Sequence, residues 1–156
     1  MKKLITIIII TIAGFSSLFG TNSKNYTTEQ VLSSTLYFEA RGENFEGKMA
    51  VASAIYNRSL KNRWKKLGLK GICLQRLQFS CFNDGFKMPN PKNKFDKKAY
   101  EDCKIIAHKM ITDEFKPTHN ATHYVTVAFY NKAKDSHWCK KMTSKIIIDN
   151  HIFGRA

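Results

Sequence analysis

Thr27 is followed three residues later by Gln30, the pairing that caps a helix N-terminus from both sides, and Leu32 and Leu36 continue beyond it at helical spacing. A first helix is therefore predicted to about Ala40, with Gly42 as its stop. Phe45, Met49, Ala52 and Tyr56 recur at the same spacing and predict a second helix from about Phe45 to Ser59, in which small Ala50, Ala52 and Ala54 permit close packing. The basic stretch 58–70, ending in Gly68 and Gly71, reads as a loop with room for a helical turn, and 72–82 has no decisive period. Gly85, Pro89 and Pro91 mark 83–94 as a surface loop. Asp96 then predicts the cap of a third helix through Ile111, with Ala99, Cys103, Ile106, Ala107 and Met110 as its apolar stripe. After Pro117 the pattern changes. Residues 121–130 are rich in Thr, Val, Tyr and Phe, and 145–148 are β-branched, so both are predicted strands. The expected fold class is α+β, a helical body followed by a short β-rich end.

At 156 residues the chain suits one domain, and 43% hydrophobic residues suffice for a real core. Lys2 and Lys3 precede an apolar or hydroxylic run from Leu4 to Ala13, and Gly14, Ser16, Ser17 and Gly20 follow. That is the layout of a secretory signal over residues 1–20, either removed or kept as an N-terminal anchor, leaving 27–156 as the working domain. The run is too short for a typical membrane span of ~20 residues. The net charge of +14 loses only Lys2 and Lys3 with this segment, so about +12 belongs to the working domain. On an exported protein that charge points to an anionic cell envelope and away from nucleic acid.

Cys73, Cys81, Cys103 and Cys139 all lie in the exported part, where an even count suggests two disulfides. Three pairings are open. The expected one is Cys81–Cys103, tying a loop to the stripe of the third helix, with Cys73–Cys139 by elimination. Zinc is the competing use, but no C-x2-4-C pair exists.

On a 100° wheel with Leu32 at zero, Leu36 falls at about 40° and Glu39 at about −20°. Glu39 thus sits inside the apolar stripe of its helix. A desolvated carboxyl holds its proton towards neutral pH, which is the state a general acid needs. The alternative is structural: Glu39 pairs with Arg41 or Arg58, or reaches water at the helix end.

The text around it is Tyr37-Phe38-Glu39-Ala40-Arg41-Gly42-Glu43, then Glu46-Gly47-Lys48-Met49-Ala50-Val51-Ala52 and Asn57-Arg58. Further on come Gln78-Phe79-Ser80-Cys81-Phe82-Asn83, Ala121-Thr122-His123-Tyr124 and Asn150-His151-Ile152-Phe153. These blocks, in this order, resemble the SleB type of cell wall hydrolase, the spore-cortex-lytic family also found in phages. The resemblance covers about Glu29 to Arg155. It implies a small lysozyme-related α+β domain with a cleft, acting on peptidoglycan glycan strands as a lytic transglycosylase, with Glu39 as the acid/base. Phe82, where many relatives have Trp, and Val125, where His is common, depart from the pattern.

Ordinary glycosidases need two carboxyls, whereas a lytic transglycosylase uses the muramic acid 6-hydroxyl as an internal nucleophile and manages with one. Glu43 and Glu46 are the nearby candidates for a second, and the chain reversal at Gly42 is expected to aim them outward. His123 and Tyr124 are expected to line the cleft; Tyr37, Asn57, Gln78 and Ser80 are candidate contacts to N-acetyl groups, and Trp138 a candidate stacking surface for a sugar, each weighed against plain packing. His119 and His123, four apart, would suit a zinc amidase only on a helix, which Pro117 and the β-rich composition disfavour. The expected protein is a monomeric, cofactor-free and metal-independent glycan-cleaving enzyme. Its rivals are an N-acetylmuramoyl-L-alanine amidase and a non-catalytic basic wall-binding protein.

Overall fold

The computed structural model describes residues 25–156. The candidate export segment, residues 1–20, lies outside them. The elements are α1 (Thr28–Ala40), α2 (Phe45–Ser59), α3 (Asn62–Lys65), α4 (Gly68–Leu74), α5 (Lys94–Ile111), β1 (His123–Thr126), α6 (Val127–Lys132), β2 (Thr143–Ile148) and β3 (His151–Arg155), with 3-10 turns at Ser80–Phe82 and Trp138–Lys141.

Helix α1 begins as its sequence dictates: Thr27 Oγ1 accepts from the Gln30 backbone N–H at 3.1 Å, and Gln30 Oε1 accepts from the Thr27 N–H at 2.8 Å. It is buried without interruption from Val31 to Tyr37, enclosed by α5, α4 and α2. Its buried serine and threonine hydroxyls all find partners, Ser34 by donating to Met88 Sδ at 3.6 Å and the others within the helix. Ser33 donates to the Gln30 carbonyl and Thr35 to the Val31 carbonyl. Helix α2 is capped by Asn44, whose side chain accepts from the Gly47 N–H at 2.9 Å, and its Ala50, Ala52 and Ala54 are fully buried. The cap of α5 is Asn93, three residues before the expected Asp96, because Asn93 Oδ1 accepts from the Asp96 N–H.

The sheet is small and antiparallel, in the order β1-β3-β2. The central strand, β3, places Phe153 in the main core and Ile152 in a second cluster with Cys139 and Met142. Gly154 is required there, since a Cβ would come within 2.9 Å of the Met142 Cβ and 3.1 Å of the Thr143 carbonyl. At the turn between β2 and β3, Asp149 adopts a left-handed φ of 51°, and the turn reaches back to the α1–α2 loop. Asp149 Oδ2 accepts from the Asn44 N–H at 2.9 Å, and the Asn150 N–H donates to Glu43 Oε2 at 3.0 Å. Residue 47 must be glycine for this clasp to close, as a Cβ would lie 2.7 Å from that of Glu43.

Three expectations are corrected. The stretch 121–130 is a strand only over His123–Thr126. Thr126 then caps α6 by accepting from the Phe129 N–H, so the β-prone residues 127–132 turn into a helix. The basic segment 58–70 holds α3 and the start of α4. The four cysteines are free thiols: neither Cys81–Cys103 nor Cys73–Cys139 forms. Cys73 packs in the main core while Cys139 belongs to the separate cluster with Met142 and Ile152, and Cys103 is a buried residue of α5. A bridge needs Cα atoms roughly 4.4–6.8 Å apart with converging Cβ vectors, and these thiols serve as small core side chains instead.

Candidate active site

Glu39 is the penultimate residue of α1, partly buried, at the point where the central helix leaves the core. Across from it stands β1, held by pairing with β3: Tyr124 lies opposite Phe153 and His123 opposite Gly154. The Tyr124 hydroxyl donates to Glu39 Oε2 at 3.0 Å. Burial raises the Glu39 carboxyl above its ordinary value, and the Tyr124 hydrogen bond and the nearby Arg58 charge oppose the rise without cancelling it. The same surroundings push the Tyr124 phenol well above its own ordinary value, mainly through burial and then through the Glu39 charge, so it remains a donor.

Arg58, at the end of α2, is only 3% exposed. Its Nε donates to the Thr122 carbonyl at 2.6 Å, and its guanidinium lies between the rings of Phe79 and Trp64, at 5.8 and 6.0 Å from their centroids. Its Nη1 has no hydrogen-bond partner among the described residues. Burial lowers its pKa, and the cation remains the positive charge acting on both Glu39 and Tyr124. Burial, followed by Arg58 and Arg63, holds His123 below the usual imidazole value, so the ring is neutral at pH 7.

The remaining residues singled out by sequence divide sharply. His123 stands between Trp64 and Trp138, with ring centroids 6.1 and 5.7 Å away, and Trp138 is 43% exposed. Gln78 is partly buried and Ser80 exposed on the segment that carries Phe79. Tyr37 and Asn57 are committed elsewhere. Tyr37 is buried edge-on against Phe38 and Tyr100, and both Asn57 amide protons go to backbone carbonyls, of His119 at 2.7 Å and Ala121 at 2.9 Å. Asn57 therefore braces the entry to β1 and leaves no proton for a sugar. The His119 ring spans the Ala50 carbonyl and the Ala121 N–H, a packing role that takes both its nitrogens.

The two other carboxyls differ from each other. Glu46 is exposed in the first turn of α2. Glu43 turns inward, not outward as expected: its side chain is 9% exposed, it accepts from the backbone and side-chain amides of Asn150, and it lies 3.6 Å from His151 Nδ1. Arg41 is exposed, with its guanidinium 5.7 Å from the Tyr37 ring. The contribution of Arg58 was the least legible, because nothing in periodicity marks a buried cation except its place on the inner face of α2.

A family model described as Cell Wall Hydrolase matches residues 42–154, beginning three residues after Glu39. Among solved structures, the chain is similar to the catalytic domain of the germination-specific lytic transglycosylase SleB from Bacillus anthracis. That match has 26% identity and a TM-score of 0.58 over 84% of this chain and 98% of that one. It is also similar to the catalytic domain of the Bacillus cereus SleB protein, at 26% identity and a TM-score of 0.57 over 91% and 100%. No curated protein matches the chain. With most of its length covered by one family model and its fold shared with these catalytic domains, the chain belongs to the cell wall hydrolase family.

Proposed function

We propose that the protein is an exported lytic transglycosylase that cleaves the bond between N-acetylmuramic acid and N-acetylglucosamine in peptidoglycan, with Glu39 as its single acid/base. The observation that carries this reading is the Tyr124–Glu39 hydrogen bond on a carboxyl raised by burial. Because Tyr124 occupies Oε2, the carboxyl proton resides on Oε1. From there it passes to the glycosidic oxygen as the C1–O bond breaks. The carboxylate left behind is stabilised by Tyr124 and Arg58. The muramic acid 6-hydroxyl then attacks C1, its proton returns to Glu39, and the product is a 1,6-anhydro end with no water consumed.

The fate of Glu43 supports one carboxyl over two. A hydrolase of the inverting kind needs a second carboxylate facing a water, and Glu43 is instead taken up by Asn150 and His151. His123, Tyr124 and Trp138, with Gln78 and Ser80 on the facing segment, form the proposed sugar-binding surface.

The test is Glu39→Gln, which preserves shape but cannot exchange a proton. It should fold normally, by melting curve, and lose ~10²–10⁴-fold in activity on purified sacculi. A loss below tenfold would remove Glu39 from the mechanism. Mass analysis of wild-type digests should find anhydromuramic ends; reducing ends alone would make the enzyme a hydrolase. Free peptides with intact glycan would make it an amidase.

A further inference from the structure

Tyr124 meets Glu39 from β1, and the strand beside it, β3, sets where its ring can lie. The register puts Phe153 opposite Tyr124 and His151 diagonal to it, so the three side chains share one face of the sheet. The Tyr124 ring centroid is 5.6 Å from that of Phe153 and 5.4 Å from that of His151, which it meets edge-on at 79°. Phe153 is an ordinary core residue. His151 is not: it is only 4% exposed, its Nδ1 has no hydrogen-bond partner among the described residues, and that nitrogen lies 3.6 Å from Glu43 Oε1. A buried imidazole nitrogen without a partner is costly, and an apolar ring would fill the same space without that penalty. Glu43 is itself held in place, because the Asn150 backbone N–H and side-chain amide both donate to it. Asp149, in the same turn, is the other carboxylate whose charge acts on His151.

Resting on the proposed transglycosylase reading, we propose that Glu43 and His151 are a pair of positioning residues that set the Tyr124 ring, and through it the hydroxyl bonded to Glu39. Glu43 orients the imidazole, the imidazole confines the phenol ring, and the phenol hydroxyl meets Glu39 Oε2. The carboxyl four residues after Glu39 thus acts on it through two rings and touches no sugar. A role limited to closing the clasp between the β2–β3 turn and the α1–α2 loop would behave differently. It would cost stability and would act the same whatever residue stood at 124.

The experiment is a double-mutant cycle on the cleavage of soluble peptidoglycan fragments. His151→Asn keeps a polar group reaching toward Glu43 but removes the ring that faces Tyr124, and Glu43→Gln keeps the shape and removes the charge. Each should lower kcat roughly three- to tenfold with KM nearly unchanged, since alignment is lost and not binding. In the Tyr124→Phe background neither should lower kcat further, because the hydroxyl they position is gone. His151→Asn should also move the alkaline limb of kcat/KM upward, in the direction of Tyr124→Phe, as a loosened hydroxyl favours the Glu39 carboxylate less. A loss of kcat that persists in full beside Tyr124→Phe overturns the proposal, as does a loss of melting temperature with kcat unchanged in both variants. Should His151→Asn fail to fold, Glu43→Gln and its cycle with Tyr124→Phe decide alone. Finding only reducing ends in wild-type digests would overturn the transglycosylase reading alone, because the cycle measures the cleavage rate whichever product forms.

Discussion

Among the described residues the Tyr124 hydroxyl makes the one direct hydrogen bond to the Glu39 carboxyl, and its loss has a definite sign. It stabilises the charged form, so Tyr124→Phe removes an influence that lowers the Glu39 pKa while the burial that raises it remains. The protonated form, which the proposed reaction requires, then persists to higher pH. We expect the alkaline limb of kcat/KM to move to higher pH, because a bond that favours the charged carboxylate is lost. A limb that moves down, or stays, would separate Tyr124 from the proton chemistry. Glu39 itself was legible from its position among Leu32 and Leu36, because a wheel reports which side chains enter the core. Asn57 and Tyr37 were not legible as packing residues. An amide or phenol in a sequence gives no sign of whether a carbonyl or ring will already occupy it, and here long-range contacts to His119, Ala121 and Tyr100 decide the matter.

Among the elements, α1 and α2 follow closely from their sequences because their caps are local, within three residues of the helix start. The β-rich end was read less well. Val127-Ala128-Phe129-Tyr130 has strand propensity, but Thr126 offers a cap and no partner strand is left for these residues, so tertiary context overrides propensity. Strand β3 carries the sheet, yet its five residues follow the β2 turn too closely to stand out as a separate run. The turn between these strands does more than reverse the chain. Through Asp149 and Asn150 it fixes Asn44 and Glu43, the loop that immediately follows Glu39. Gly47→Ala drives a methyl into the Glu43 side chain and toward Asp149 Oδ2, which lies 3.1 Å from the added carbon. We expect a loss of roughly 1–3 kcal/mol in denaturant unfolding, with kcat falling as the loop shifts. Unchanged stability would mean the clasp yields easily and does not position the helix end.

For the molecule as a whole, the charge of +14 is spread along a chain with 26 cations and 12 anions, and a charge of that sign attracts anionic polymers at long range. Binding to purified walls should weaken steeply between about 0.05 and 0.5 M salt, as the screening length falls from above ~10 Å to a few ångströms. Turnover of a short neutral glycan should change little over the same range, and equal sensitivity in both assays would place the dominant charge inside the cleft. Domain class and the basic surface could be read from composition, because both are sums over residues. The candidate site could not, because its residues come from α1, α3 and β1. That meeting also brings together the chain's two tryptophans, Trp64 and Trp138, on either side of His123. Nearly all of the protein's indole emission therefore originates beside the site. One indole is buried and the other open to solvent, so a sugar settling on Trp138, as the proposed function has it, should change the emission of half the fluorophores in the molecule. Under the proposed function, that emission is an optical readout of site occupancy, requiring no label and no turnover.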